Sequence, residues 1–289
     1  MVNFTRLLPL AILVAVTVAC GSSNHGTPPA TSTRVFLVVE ENHSYSDVIG
    51  NSTMPYLNGL AKQYGLATQY YADAHPSIPN YFMLTTGLPI TVDDAFTGTV
   101  DDDNVARELV KAGKTWRSYS ESLPSTGYTG GDVYPYFKHH NPFAYFKDVI
   151  GTPQANNLVP FSQFSSDLAS NNLPDFSFIT PNALNDAHDG TLATADQWLS
   201  ANIDPLIKSN AFQSNSVLIV VFDESDSTDL SHIGGHVPFI IAGPKVKAGY
   251  QSTTFYQHQS TLRLVLSTVG VNSFPGASAV APDMGEFFK

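Results

Sequence analysis

The chain has 289 residues, 43% hydrophobic and 13% charged, which is enough apolar material to close a core and too much for a disordered polymer. Its 20 Gly and 19 Pro are spread along the chain, so collagen-like and low-complexity architectures are excluded. A net charge of −11 repels polyanions and argues against nucleic acid as a partner, and a single Cys excludes an internal disulfide framework or a cysteine-based metal knuckle.

Residues 1–19 read as a signal peptide: Arg6 supplies a positive start and Leu7 to Val18 is apolar but for Thr17, too short for a permanent span. Thr17-Val18-Ala19-Cys20 resembles a lipobox, which makes Cys20 the candidate lipidation site; ordinary signal cleavage is the alternative. Residues 20–33 hold almost nothing that packs and are expected to be a flexible tether. The expectation is an exported protein, periplasmic or at the cell surface, that meets a membrane only through that lipid.

From residue 34 to 289 no break in composition marks a second domain. Arg34 to Val39 is a short β-branched run, the pattern of a strand buried on both faces, and Phe176 to Ile179, Ser216 to Phe222 and Val237 to Ala242 repeat it. Helical periodicity falls at Met54 to Tyr64, Val105 to Ala112, Ala193 to Lys208 and Gln259 to Val269. Such alternation predicts an α/β fold, a mostly parallel doubly wound sheet with helices on both faces. Gly127 to Asn141, rich in Tyr, Gly and His, reads as a long surface loop near a site.

Ligands of such sheets bind at the carboxyl ends of the strands. There the first strand runs into Glu40-Glu41-Asn42, the run 216–222 into Asp223-Glu224, and the run 176–179 is followed by Asn182, Asp186, His188 and Asp189. Six carboxylates at one edge repel unless a cation joins them; the alternative is that each group caps a helix or forms a turn. Pro79 suits the first turn of a helix with Ser77 at its N-terminus, where unpaired N–H groups favour an anion. A serine there can attack phosphorus, or can be an ordinary cap.

Ser77-Ile78-Pro79-Asn80-Tyr81 followed by Thr86-Gly87-Leu88-Pro89 resembles the nucleophile segment of the alkaline-phosphatase-like superfamily. More narrowly, residues 34 to about 270 resemble the phosphoesterase family of acid phosphatases and phosphatidylcholine-type phospholipases C. The resemblance rests on Glu41-Asn42-His43-Ser44-Tyr45, Lys138-His139-His140-Asn141-Pro142, Asn182 with Asn185 to Asp189, Phe222-Asp223-Glu224 and Tyr256 to Ser260, in the family's order. It implies that Glu41, Asn42, Asp223 and Glu224, with the Ser77 oxygen, bind one divalent cation, of which Mg, Ca, Mn and Zn are all open. It further implies Ser77 as nucleophile, with Asn80 placed as a donor to the phosphoryl group and His188 as general acid or phosphate contact; His75 is a candidate phosphate contact or the turn before the helix, His140 a candidate pocket residue, and His236 pocket rim or plain loop.

The activity implied is hydrolysis of small phosphate monoesters through a phosphoserine. The alternatives are a phospholipase C-type phosphodiesterase and, from a different class, a surface lipoprotein that binds a ligand without turnover.

Overall fold

Four uninterrupted apolar runs fold as the centre of one eight-stranded sheet in the computed structural model, which describes residues 1–2 and 33–289. The strands are β1 (Arg34–Glu40), β2 (Gly65–Ala67), β3 (Trp116–Ser120), β4 (Leu158–Pro160), β5 (Phe176–Thr180), β6 (Ser216–Phe222), β7 (Phe239–Ala242) and β8 (Tyr250–Ser252). Their spatial order is β4-β3-β5-β1-β6-β7-β2-β8. β1 pairs in parallel with β5 and with β6 along its whole length, so all three end at one edge. β7 alone runs antiparallel to its neighbours, which brings its start, not its end, to that edge. The readings that fall on residues 3–32, including Cys20, lie outside the described residues.

The helices are α1 (Tyr45–Val48), α2 (Pro55–Gln63), α3 (Ser77–Thr86), α4 (Val105–Lys111), α5 (Ser162–Ala169), α6 (Leu192–Lys208), α7 (Asn210–Asn215) and α8 (His258–Thr268). Side chains alternate across a strand. On β1, Phe36 lies against Phe164 of α5 and Phe212 of α7, whereas Leu37 is in register with Phe178, which meets Tyr81 of α3. Helices therefore cover both faces, and a central strand must be apolar on both, which is why RVFLVV shows no alternation. The short strands β2, β3, β4 and β8 carry no such run. Trp116-Arg117-Ser118-Tyr119-Ser120 of β3 mixes polar and aromatic residues, and its place is fixed by pairing with β5.

Every residue of α3 is buried, its start pointing at the carboxyl edge. It ends at Gly87 with φ +68°, a left-handed cap natural to glycine. A side chain there would also press within 2.5 Å of the Pro275 carbonyl.

Candidate active site

The expected convergence of strand ends occurs. Ser77 is the first residue of α3, and its Oγ donates to Glu41 Oε2 at 3.1 Å and lies 3.2 Å from Glu224 Oε1. The backbone N–H of Asn42, at φ +57°, donates to Asp223 Oδ1 at 3.2 Å. Glu41, Ser77, Asp223 and Glu224, distant in sequence, thus form one buried cluster at the ends of β1 and β6.

Glu40 has the opposite parity on β1 and belongs to the other face, where both its oxygens lack a hydrogen-bond partner.

Burial and the neighbouring charges push the carboxyls of Glu41 and Asp223 far above the usual carboxylate range. Asp186, raised mainly by burial, sits at about 7. Among the described residues, no Lys or Arg pairs with Glu41, Asp186 or Glu224, whose only basic neighbours at ion-pair distance are His75 and His140. Asp223 Oδ2 and Asp186 Oδ2 are buried without a hydrogen-bond partner. The unpaired buried oxygen of Asp223, beside the carboxylates that meet the Ser77 hydroxyl, suits a hard cation, so the residues fit the metal that the family resemblance implied.

The imidazoles flank the cluster on two sides. His75 Nδ1 bonds Glu224 Oε2 and Nε2 lies 3.3 Å from the Asp229 carbonyl; the carboxylate raises its pKa. Opposite, His140 is held by a short 3-10 turn at Lys138–His140, its ring stacked on Tyr81 at 5.1 Å. His140 Nδ1 lies 3.5 Å from Asp186 Oδ2, and Nε2 lies 3.4 Å from Glu41 Oε1 without a hydrogen bond. Burial pushes His140 down to about 3, so the ring is neutral. Together Glu41, His140 and Asp186 form a second group with metal-ligand spacing that the sequence reading did not assemble. His188 is partly exposed, 5.6 Å from His140 between ring centres, and its Nδ1 bonds Asp189 Oδ1 at 2.8 Å.

Two expected substrate contacts are engaged elsewhere. Asn80 Oδ1 accepts from the N–H groups of Asp73 and Ala74 at 3.0 and 3.1 Å, and its Nδ2 donates to the carbonyls of Ala74 and Pro76. Both amide protons are used, so Asn80 fastens the turn before Ser77. His236 is stacked between Tyr45 and Tyr71, with Nε2 3.1 Å from the Thr68 carbonyl.

Sequence reasoning missed Tyr81, whose hydroxyl donates to Glu41 Oε1. Its spacing of four from Ser77 puts both on one helical face and was the available signal. It also missed that His258, beyond starting α8, reaches the Asp223 carbonyl with Nε2 at 2.5 Å and the Tyr70 hydroxyl with Nδ1 at 3.1 Å.

Comparison with known proteins agrees with this geometry. The sequence profile of the Phosphoesterase family matches residues 50–272. The chain is 35% identical over 241 residues to a phosphatidylinositol-3-phosphatase of Mycobacterium tuberculosis, covering 81% of this chain and 77% of that protein. It is 30% identical over 256 residues to an acid phosphatase of Aspergillus fumigatus, covering 83% of this chain but 55% of the fungal one. In fold it is similar to an alkaline phosphatase superfamily protein of Vibrio parahaemolyticus, with TM-score 0.62 at 15% identity over 87% of this chain and 70% of the other. A phosphonate monoester hydrolase of Agrobacterium radiobacter superposes with TM-score 0.56 at 14% identity, covering 89% and 77%. The strand ends, the serine and the matched profile lead to one conclusion: the chain belongs to the Phosphoesterase family and is a phosphoric ester hydrolase.

Proposed function

We propose that this protein is an exported phosphomonoesterase of acid-phosphatase type that works through a phosphoserine at Ser77. The observation that carries the reading is the Ser77 hydroxyl at the start of α3, within 3.2 Å of both Glu41 and Glu224. The Ser77 oxygen forms the bond to phosphorus as the bond to the leaving alkoxide breaks, and Glu224 receives the hydroxyl proton. His188, oriented by Asp189, gives a proton to the leaving oxygen, while the neutral His140 stays packed between Asp186 and Glu41. Water then cleaves the phosphoserine, releasing phosphate and restoring Ser77.

A divalent cation bound by Glu41, Asn42, Asp223 and Glu224 with the Ser77 oxygen would lower the serine pKa and neutralise phosphoryl charge. Asn80 and Tyr81 hold the nucleophile's turn and Glu41 in place. Removal of residues 1–19, attachment at Cys20 and a single catalytic domain over 34–289 complete the reading. No helix among the described residues is long and apolar enough to cross a membrane.

The test is hydrolysis of p-nitrophenyl phosphate against its phosphorylcholine ester, with and without chelator. The monoester is expected to be the better substrate and chelation to abolish turnover. Ser77→Ala is expected to lower kcat by about a thousandfold or more with the fold intact. Turnover of the choline ester alone overturns the monoester assignment, chelator-insensitive turnover overturns the cation, and an active Ser77→Ala overturns the nucleophile.

A further inference from the structure

The surface of this chain distributes its exposed large apolar side chains unevenly. Among residues 33–289 there are nine of them, and seven stand on loops at the carboxyl edge that carries Ser77. Leu230, Ile233 and Phe255 lie on the His75 side: Leu230 follows Asp229, whose carbonyl meets His75, and Phe255 stacks on Tyr71 and His232. Val133, Tyr134 and Leu184 lie on the His188 side, where Tyr134 meets Phe137, and Phe137 meets both His140 and His188. Val92 is two residues from Asp94, which accepts from the Ile78 N–H at the start of α3. The two others sit away from this edge, Val110 beside the start of β3 and Val280 near the far end of α3.

The exposure of Leu230 and Ile233, at 69% and 70%, is enforced by the loop that carries them. The Ser225 hydroxyl donates to the Asp229 carbonyl, and the Asp229 carboxylate accepts from the N–H groups of Ser231 and His236. Within that clasp His232 and Ile233 adopt φ +52° and +80°, a conformation that strains a β-branched residue. The strain persists because the surrounding bonds over-determine it, and it turns Ile233 outward.

We infer that this rim is a docking surface for a zwitterionic lipid surface, with Leu230 and Ile233 entering the headgroup layer beside the catalytic mouth. The inference goes beyond the proposed activity and does not need it. Two features select the occupant. A second copy of the chain seated here would cover the mouth on both molecules. The rim loops also carry Asp93, Asp94, Asp132, Asp189, Asp226 and Asp229 against one cation, Lys138, so they repel anionic lipid and suit outward ammonium groups.

The test places tryptophan at the rim in the full chain. Trp116 and Trp198 are buried and give a constant background. Ile233→Trp is mixed with phosphatidylcholine vesicles containing dibrominated acyl chains, and Val110→Trp is the control at the other edge. A far-ultraviolet circular dichroism spectrum and melting temperature matching the parent chain certify that each variant folds. The expected result is a blue shift and bromine quenching at position 233, near-constant emission at 110, and weaker quenching when phosphatidylserine replaces phosphatidylcholine. Ile233→Trp in a Ser77→Ala background is expected to behave identically, which separates docking from catalysis. Replacing Leu230 by Asp in the Ile233→Trp chain is expected to weaken the vesicle titration about tenfold. Equal quenching at both positions, none at 233, or a blue shift at 233 that grows with protein concentration without lipid overturns the inference, the last assigning the rim to a second copy.

Discussion

Ser77 owes its setting to side chains from distant parts of the chain, and each can be probed singly. Tyr81 fixes one oxygen of Glu41 while Ser77 meets the other, so Tyr81→Phe frees a carboxylate that the proposed cation site needs held in place. Losing such an orienting partner costs about 10- to 100-fold in metal affinity, measurable by cation titration followed calorimetrically.

Asp73 is a residue whose stability effect has a definite sign. Burial raises its carboxyl from 3.8 to about 7, against donation from the His258 N–H and the Gln259 amide. The native state therefore keeps a proton that the unfolded chain releases in that window, so its contribution is full below pH ~4 and is lost as pH rises through 7. Asp73→Asn, which mimics the protonated form, is expected to match the wild type near pH 4 and exceed it by up to ~4 kcal/mol above pH 7. Parallel urea titrations at the two pH values read the difference. A gap that shrinks as pH rises contradicts the assignment.

At the scale of elements, α3 carries the most consequence per residue. It delivers Ser77 to the carboxyl edge and is buried along all ten residues. A helix covered on every side is set by its ends as much as by its faces. Gly87 closes it in the left-handed region, and a methyl group there meets the Pro275 carbonyl and the Ala277 N–H. Gly87→Ala is expected to cost about 2–3 kcal/mol, a fall in Tm of about 4–10 °C by calorimetry. An unchanged Tm means that the 275–278 segment yields, and that the helix end is not the constraint described.

The elements also show what was legible. β1, β5 and β6 were readable because a strand between two helical layers must be apolar on both faces, and nothing else that short looks the same. β2, β3, β4 and β8 have three to five residues and lie outward from that centre; the neighbour's open edge defines them, and their own composition does not.

For the molecule as a whole, the decisive quantity is the negative charge gathered at one sheet edge. With Glu41, Asp186 and Asp223 all raised by burial, protons would compete with the proposed cation for these oxygens. A divalent cation at about 100 times its Kd is expected to stabilise by ~2.7 kcal/mol, raising Tm by about 5–10 °C at pH 7.5. At pH 5 the rise is expected to be smaller, since the carboxyls must first lose their protons. Differential scanning calorimetry with chelator and then Mg, Ca, Mn or Zn reads both. A rise that grows as pH falls is incompatible with carboxylate ligands.

Sequence by itself determined the central strands and the acids that follow them, because strand burial and catalytic chemistry each demand residue types that little else satisfies. It named Glu41, Ser77, Asp223 and Glu224 as partners from a family resemblance, with no distance between them. Tertiary structure alone decided which atoms meet: that Asn80 is tied to its own turn, that Asp186 lies beside His140 while Asp189 bonds the His188 ring, and that Tyr81 and His258 steady the acids. The reason is geometric. Residue type fixes what a side chain can donate or accept, but the partner that takes it is set by the packing of segments that are far apart in the chain.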